Sequence, residues 1–319
     1  MIALELAPQL QIAVYQPQYK TAWNAFVNAS KNGVFLFNRE YMEYHSNRFT
    51  DHSLLFLKNG KLVAIMPANI KDHVLYSHAG LTFGGVISGF DMTQQLMLEL
   101  FNALTAHCRE LGIRQIIYKT IPYIYHVVPA DEDLYALFKN GAKLIARNVS
   151  SAIFLPERMG FDSRRKESLR KARKNGLTVQ RSYDLASFMA LAEDVLMAKH
   201  GVHTVHSLKE LELLMSRFPE NIKLFTSKRD EALMAGILVY ESGNVAHGQY
   251  AANSEVGRGI GAQDIIEDYL INTYYVGKRY YDFGISTVNM GRELNVGLLS
   301  RKEGFGASAV NYDFYEISL

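Results

Sequence analysis

The chain has 319 residues, 48% of them hydrophobic and 21% charged, with a formal net charge of +2. This length and balance suit two compact folded domains, and so small a net charge excludes a whole-molecule field drawing the protein to nucleic acid or membrane. The single cysteine, Cys108, excludes an internal disulfide and a cysteine-cluster zinc site.

No stretch reaches the roughly 18 unbroken apolar residues of a membrane helix. Met1–Leu10 lacks the basic run and apolar core of a signal peptide, so a reducing cytoplasm is the expected location.

In chain order, Leu54–Leu57 predicts a strand, Asn59-Gly60 a hairpin turn and Leu62–Ile70 the returning strand. The loop holding Phe83, Gly84 and Gly85 either lets a substrate backbone approach or simply connects elements. Leu96, Met97, Leu100, Phe101, Leu104, Cys108 and Leu111 recur at helical spacing and predict a helix over Gln94–Leu111. Cys108 falls on its apolar face, as packing. Gly112 stops the helix, and Arg114–Lys119 reads as a buried strand.

Asp162 or Ser163 caps a helix that ends at Gly176. From Ser163 to Lys174 it carries seven basic residues and one acidic residue, a net of +6, with only Leu169 and Ala172 to bury. Arg170 and Arg173 on it are candidates to meet phosphates; a plain solvated face is the alternative. Ser207–Phe218 predicts another helix. His203 and His206 lack a third ligand, so no metal site is expected.

Lys223–Thr226, Leu233–Tyr240 and Val245–Ala251 predict three strands joined by turns near Asp230 and Gly243. Gly257, Arg258, Gly259, Ile260, Gly261 and Ala262 read as a glycine turn opening a helix over Ala262–Val276. Such an entrance presents backbone N–H groups at a positive helix end, a seat for pyrophosphate; a simple loop is the alternative. The nucleoside-triphosphate loop pattern is absent. Gly277 stops that helix and Arg279–Phe283 follows as a strand. Asp282 at its end is either a base or a turn cap. Lys302, between Arg301 and Gly304-Phe305-Gly306, is either a cation facing a developing oxyanion or an exposed lysine.

The helix–glycine–strand joints at Gly112 and Gly277 lie 165 residues apart, about half the chain. The two halves therefore read as two copies of one α/β unit, over 1–155 and 156–319.

Arg279-Tyr280-Tyr281-Asp282-Phe283-Gly284, Gly297-Leu298, Arg301-Lys302 and Gly304-Phe305-Gly306 together resemble the C-terminal unit of FemAB-like proteins, of the Gcn5-related (GNAT) acyltransferase superfamily. Arg170–Gly176 and Ser77–Gly89 resemble further segments of that family. The resemblance implies an α/β fold of mixed sheets in two tandem GNAT-like domains, and transfer of an acyl or aminoacyl group to an amine. Acyl-CoA or aminoacyl-tRNA would be a co-substrate, with no permanently bound cofactor. A small molecule or a cell-wall peptide precursor would supply the amine.

By the same match Lys302 would lie near the transition state; in the acyltransferase reading Asp282 or a tyrosine such as Tyr250 would help move the proton. Gly257–Ala262 holds the donor's pyrophosphate, although Val256 stands where the GNAT pattern has Gln or Arg. A non-catalytic binding protein on the same fold is the competing expectation.

Overall fold

The computed structural model describes residues 10–319. The expectation for the N-terminal segment before Leu10 lies outside the described residues. The chain divides into two compact units. The first comprises Met1–Asn148, Met290–Arg292 and Asn311–Leu319; the second comprises Val149–Asn289 and Glu293–Val310. The last strand, from Asn311 on, thus returns to the first unit. That return has no local sequence signal, because strand pairing across some 200 residues is set by tertiary packing.

In the first unit, β1 (Leu10–Val14) precedes α1 (Lys20–Ala29), α2 (Arg39–Met42) and β2 (Thr50–Asp51). β3 (Leu54–Lys58) and β4 (Lys61–Met66) form the expected hairpin, with Asn59 and Gly60 both at positive φ as a tight turn requires. β4 ends earlier than expected, and β5 (Asn69–Lys71) and β6 (Val74–Tyr76) join a different sheet. β7 (Ile87–Ser88) completes a four-stranded sheet in the order β1-β3-β4-β7.

α3 (Gln94–Glu110) is capped by Thr93, whose side chain accepts from Leu96 N. It lays Leu100, Phe101 and Leu104 against Leu54, Phe56 and Ile116, all fully buried. Cys108 is buried in the same cluster, and burial pushes its thiol up to about 12, so it is inert packing. β8 (Gln115–Lys119), α4 (Glu132–Lys139) and β9 (Lys143–Phe154) follow, and β9 carries the chain into the second unit.

The second unit starts with α5 (Ser163–Lys174), the basic helix, capped by Asp162 accepting from Arg165 N at 2.7 Å. β10 (Thr178–Ser182), α6 (Leu185–His200) and α7 (Leu208–Arg217) lead to β11 (Ile222–Arg229), β12 (Ala232–Glu241) and β13 (Val245–Asn253). α8 (Glu255–Ile260) and α9 (Ala262–Tyr269) then lead to β14 (Tyr280–Ile285). The short strands β15 (Thr287–Val288) and β16 (Glu293–Leu294), α10 (Val296–Glu303) and β17 (Ser308–Ser318) complete the chain.

Within this unit the strand order is β10-β11-β12-β13-β14-β9, antiparallel except for β13 and β14. α9 and the turn after it cover one face, burying Ala262, Ile266 and Leu270 in one cluster with Ile237, Val239 and Tyr281. The helix does not run regularly to Val276: it passes into a π-helical turn over Leu270–Tyr274 and closes at Tyr275, and Phe225 packs edge-on against Tyr274 and Tyr275. In the first unit the sheet order is β17-β8-β6-β5-β2.

The repeat is visible in register. β6 pairs parallel with β8 through Val74–Gln115, Leu75–Ile116 and Tyr76–Ile117. β13 pairs parallel with β14 through Val245–Tyr280, Ala246–Tyr281 and His247–Asp282. The 165-residue offset seen at Gly112 and Gly277 carries Gln115, Ile116 and Ile117 onto Tyr280, Tyr281 and Asp282.

Candidate active site

The two parallel pairs end differently, and that difference locates the candidate site. In the first unit the chain seals the end of its own pair. Ser77 N donates to Ile117 O, Lys119 N to Ser77 Oγ at 2.7 Å, and Gly84 N to Lys119 O. Lys119 is buried and donates to the carbonyls of His78, Ala79 and Leu81; burial lowers its ammonium to about 8.

The expected substrate loop is part of that seal. A Cβ on Gly84 would lie 2.1 Å from Ser77 O, and one on Gly85 2.7 Å from the Tyr118 hydroxyl. Phe83 is buried against Tyr125 and Tyr312. The close approach these glycines allow is to the protein's own chain, and no face of Phe83 is open to a substrate.

In the second unit, β13 and β14 part immediately after His247–Asp282. β13 also carries a bulge. Val239 pairs with Gly248 and Leu238 with Tyr250, so Gln249 has no opposite number on β12. A bulge re-aims backbone N–H and C=O groups, and beyond Asp282 no β14 residue pairs with β13 to receive them.

Asp282 is fully buried. Its Oδ1 accepts from Ser150 Oγ at 2.6 Å and from Gly284 N at 3.0 Å, and its Oδ2 is 2.9 Å from His247 Nδ1. So enclosed a carboxylate has no direct route to a substrate amine, and this corrects the expectation of Asp282 itself as the base. It faces outward only through His247, whose side chain is 12% exposed. Sequence reading passed over His247 because nothing local marks it; the parallel register alone sets it beside Asp282.

Lys302, on α10, is also buried. Its Nζ donates to Gly284 O at 2.7 Å and Ile285 O at 2.9 Å, carbonyls at the end of β14. Two of its three N–H donors are thereby used. Burial lowers the ammonium to about 8, against the opposing pull of Asp282 and Glu267. It is not the exposed lysine of the bland expectation.

α10 is fixed by a network behind it. Arg301 pairs with Asp264 at 2.7 Å, Arg165 with the other oxygen of Asp264 at 2.5 Å, and Tyr281 Oη donates to Glu267 at 2.5 Å. Tyr250 lies beyond the bulge, its hydroxyl 2.6 Å from His206 Nδ1, and burial pushes it up to about 12, so it is protonated at neutral pH.

The glycine run is not an open turn. Ser254 caps α8, accepting from Gly257 N, so Glu255–Ile260 is helical. Gly261, at φ +81°, is the left-handed joint between α8 and α9. A Cβ on Gly261 would lie 2.6 Å from Ser168 O, so α5 packs directly on this joint, and Ala262 is fully buried. The α9 entrance is therefore closed by α5, and three glycines misled because Ser254 supplies the cap that makes the segment helical. Arg258 and Gly259 remain exposed, with open space at Gly259.

The basic face of α5 is open to solvent: the side chains of Arg164, Arg170 and Arg173 are 69%, 70% and 61% exposed, although Arg170 pairs with Glu167 and Arg173 with Asp268. A separate cavity of about 430 Å³, walled by Arg158, Met159, Lys166 and Asn272, involves none of the expected site residues. Among the described residues no group of three or more His, Cys, Asp or Glu is placed to hold a metal, and no helix is long and apolar enough to cross a membrane.

Residues 163–291 match the family model of the acetyltransferase (GNAT) domain. No curated protein matches the sequence. Among solved structures, FemX is similar with a TM-score of 0.69 at 13% identity, covering 97% of each chain. L-PGS from Bacillus licheniformis is similar with a TM-score of 0.62 at 11% identity, covering 94% of this chain and 91% of that one. A tandem GNAT protein from the clavulanic acid biosynthesis pathway gives a TM-score of 0.51 at 10% identity, covering 97% and 98%. With a GNAT segment in its second unit and this arrangement of mixed sheets, the chain has the fold of the FemAB-like GNAT acyltransferases.

Proposed function

We propose that the protein is an N-acyltransferase working at the opening between β13 and β14, with an acyl-CoA-type donor and the amine of a small molecule or peptide as acceptor. The observation that carries this reading is the parting of the parallel pair, within the segment that matches the GNAT model, beside the buried ammonium of Lys302 that follows that segment. The amine nitrogen attacks the acyl carbonyl carbon, forming a C–N bond and a tetrahedral oxyanion; the C–S bond of the donor then breaks and the amine loses a proton. The remaining N–H of Lys302 and the backbone at the Gln249 bulge stabilise the oxyanion. Tyr250, protonated at neutral pH, supplies the proton to the departing thiolate. Arg258 and Gly259 are the part of the glycine run open to the donor's phosphates, and Phe83, Gly84 and Gly85 have no part in the site.

The exposed guanidinium groups on α5 favour a second donor, aminoacyl-tRNA, whose phosphates would lie along Arg170 and Arg173, with a cell-wall peptide precursor as acceptor. A thermal-shift series with acetyl-CoA, longer acyl-CoAs and charged tRNA separates the two, because a ligand of the folded form raises the melting temperature by mass action. Stabilisation by an acyl-CoA, with thiol release when amines are added, supports the first donor. Stabilisation by charged tRNA alone, lost with rising salt, supports the second. No response to either leaves a non-catalytic binding protein and overturns both.

A further inference from the structure

We infer that His247 is the group that takes the proton from the attacking amine, with Asp282 and Ser150 as its positioning residues. This rests on the acyl-transfer reading of the same opening and assigns it a base.

Asp282 holds an ordered set of donors. Ser150 Oγ and Gly284 N both donate to Oδ1, and His247 Nδ1 faces Oδ2. An ionised carboxylate only accepts hydrogen bonds, so the proton between Oδ2 and Nδ1 resides on Nδ1. The Nε2 atom then carries the lone pair. Among the described residues it has no hydrogen-bond partner, and the side chain keeps 12% of its surface exposed. A donor-locked Nδ1 with an open Nε2 is the arrangement of an imidazole base oriented by a third group.

Position agrees with this chemistry. His247–Asp282 is the last rung before the strands diverge, and the next residue on β13 and the second along β14 are both glycines, Gly248 and Gly284. A Cβ on Gly284 would stand 3.3 Å from His247 Cε1, so glycine there keeps the outer edge of the imidazole clear. The charged group facing this pair from another element is Lys302, held on the carbonyl of the same Gly284. Acid–base group and oxyanion cation thus flank one backbone position. When the amine nitrogen bonds to the acyl carbon, its proton passes to Nε2, and the resulting imidazolium is stabilised by Asp282. The proton balance closes when Nε2 releases that proton to solvent and Tyr250, having protonated the departing thiolate, takes one back from solvent.

The test is carbethoxylation with diethyl pyrocarbonate, which modifies an imidazole through an unprotonated nitrogen, read by mass spectrometry on the intact chain. His247 is expected to react, at least tenfold more slowly in Asp282→Asn and severalfold more slowly in Ser150→Ala. The serine variant keeps the test decisive where a buried Asp282 change prevents folding. Acetyl-CoA or charged tRNA, whichever is the donor, is expected to protect His247. With that donor, His247→Gln is expected to lower kcat at least 100-fold with a less than twofold change in donor KM. An unreactive His247, equal rates in wild type and both positioning variants, or an unchanged kcat in His247→Gln overturns the inference. Reactivity that depends on Asp282 but is untouched by either donor supports the dyad and overturns the acyl-transfer reading instead.

Discussion

Tyr281→Phe removes one oxygen atom from the support behind α10. Tyr281 is fully buried and Glu267 is 2% exposed, and their 2.5 Å hydrogen bond is the shortest contact the Glu267 carboxyl makes. A hydrogen bond to a charged group contributes about 1.5–3 kcal/mol, and stranding its buried partner adds to the loss. We therefore expect a destabilisation of about 2–3 kcal/mol, a fall of roughly 5–10 °C in melting temperature for a unit of this size.

The pH dependence has a definite sign. Burial raises the Glu267 carboxyl above its ordinary 4.5 in the folded state, so above that value the folded chain binds more protons than the unfolded one. Stability from this group is therefore fullest in acid and declines as pH rises. Losing the tyrosine donor raises the carboxyl further, so the gap between variant and wild type widens from pH 5 to pH 8. Differential scanning calorimetry at the two pH values measures it. A change below about 0.5 kcal/mol, or a gap that narrows with pH, refutes the reasoning that this pair is a buried charge-assisted bond.

Three further outcomes follow from the same geometry. Lys302→Met is expected to lower kcat by about 100-fold, in line with loss of one oxyanion donor, while melting within a few degrees of wild type; because burial lowers the wild-type ammonium to about 8, activity falls above that pH whereas stability rises between it and the ordinary 10.5, and a flat basic limb contradicts the role. Gly261→Ala, which forces a Cβ at φ +81° to within 2.6 Å of Ser168 O, is expected to cost more than about 2 kcal/mol, whereas Gly259→Ala, in open space on a helix, adds about 0.5–1 kcal/mol and weakens donor binding, all read by urea melts and titration. Charge reversal at Arg170 and Arg173 is expected to reduce the salt dependence of charged-tRNA binding and leave acyl-CoA binding unchanged; equal effects on both ligands contradict the assignment of that helix face.

Much of the architecture was legible because it rests on local rules. Asp162 caps its helix as the sequence predicts, Asn59-Gly60 turns its hairpin, and Gly112 closes α3 at φ +67°. The duplication was legible for the same reason, since helix stop and following strand recur at one spacing. The site was legible only in part. Lys302 stood out in a glycine-flanked segment, but its burial against Gly284 and Ile285 depends on how α10 docks. Asp282 stood out on its strand, yet its pairing with His247 is a matter of register between strands 35 residues apart. Gly257–Ala262 was misread because glycine frequency suggests a loop, whereas the Ser254 cap and the packing of α5 make it a helix and a closed joint. Phe83, Gly84 and Gly85 were misread because a glycine that permits close approach does not say what approaches.

The position of a bound acyl donor is the most direct test of the opening between β13 and β14 as the site of transfer. A structure determined with a bound donor, acetyl-CoA or an aminoacyl-RNA fragment, is expected to show its carbonyl between the β13 bulge at Gln249 and the Lys302 ammonium, with β13 and β14 parted as they are here. A donor bound elsewhere in the second unit, or in the first unit near Lys119, would contradict it.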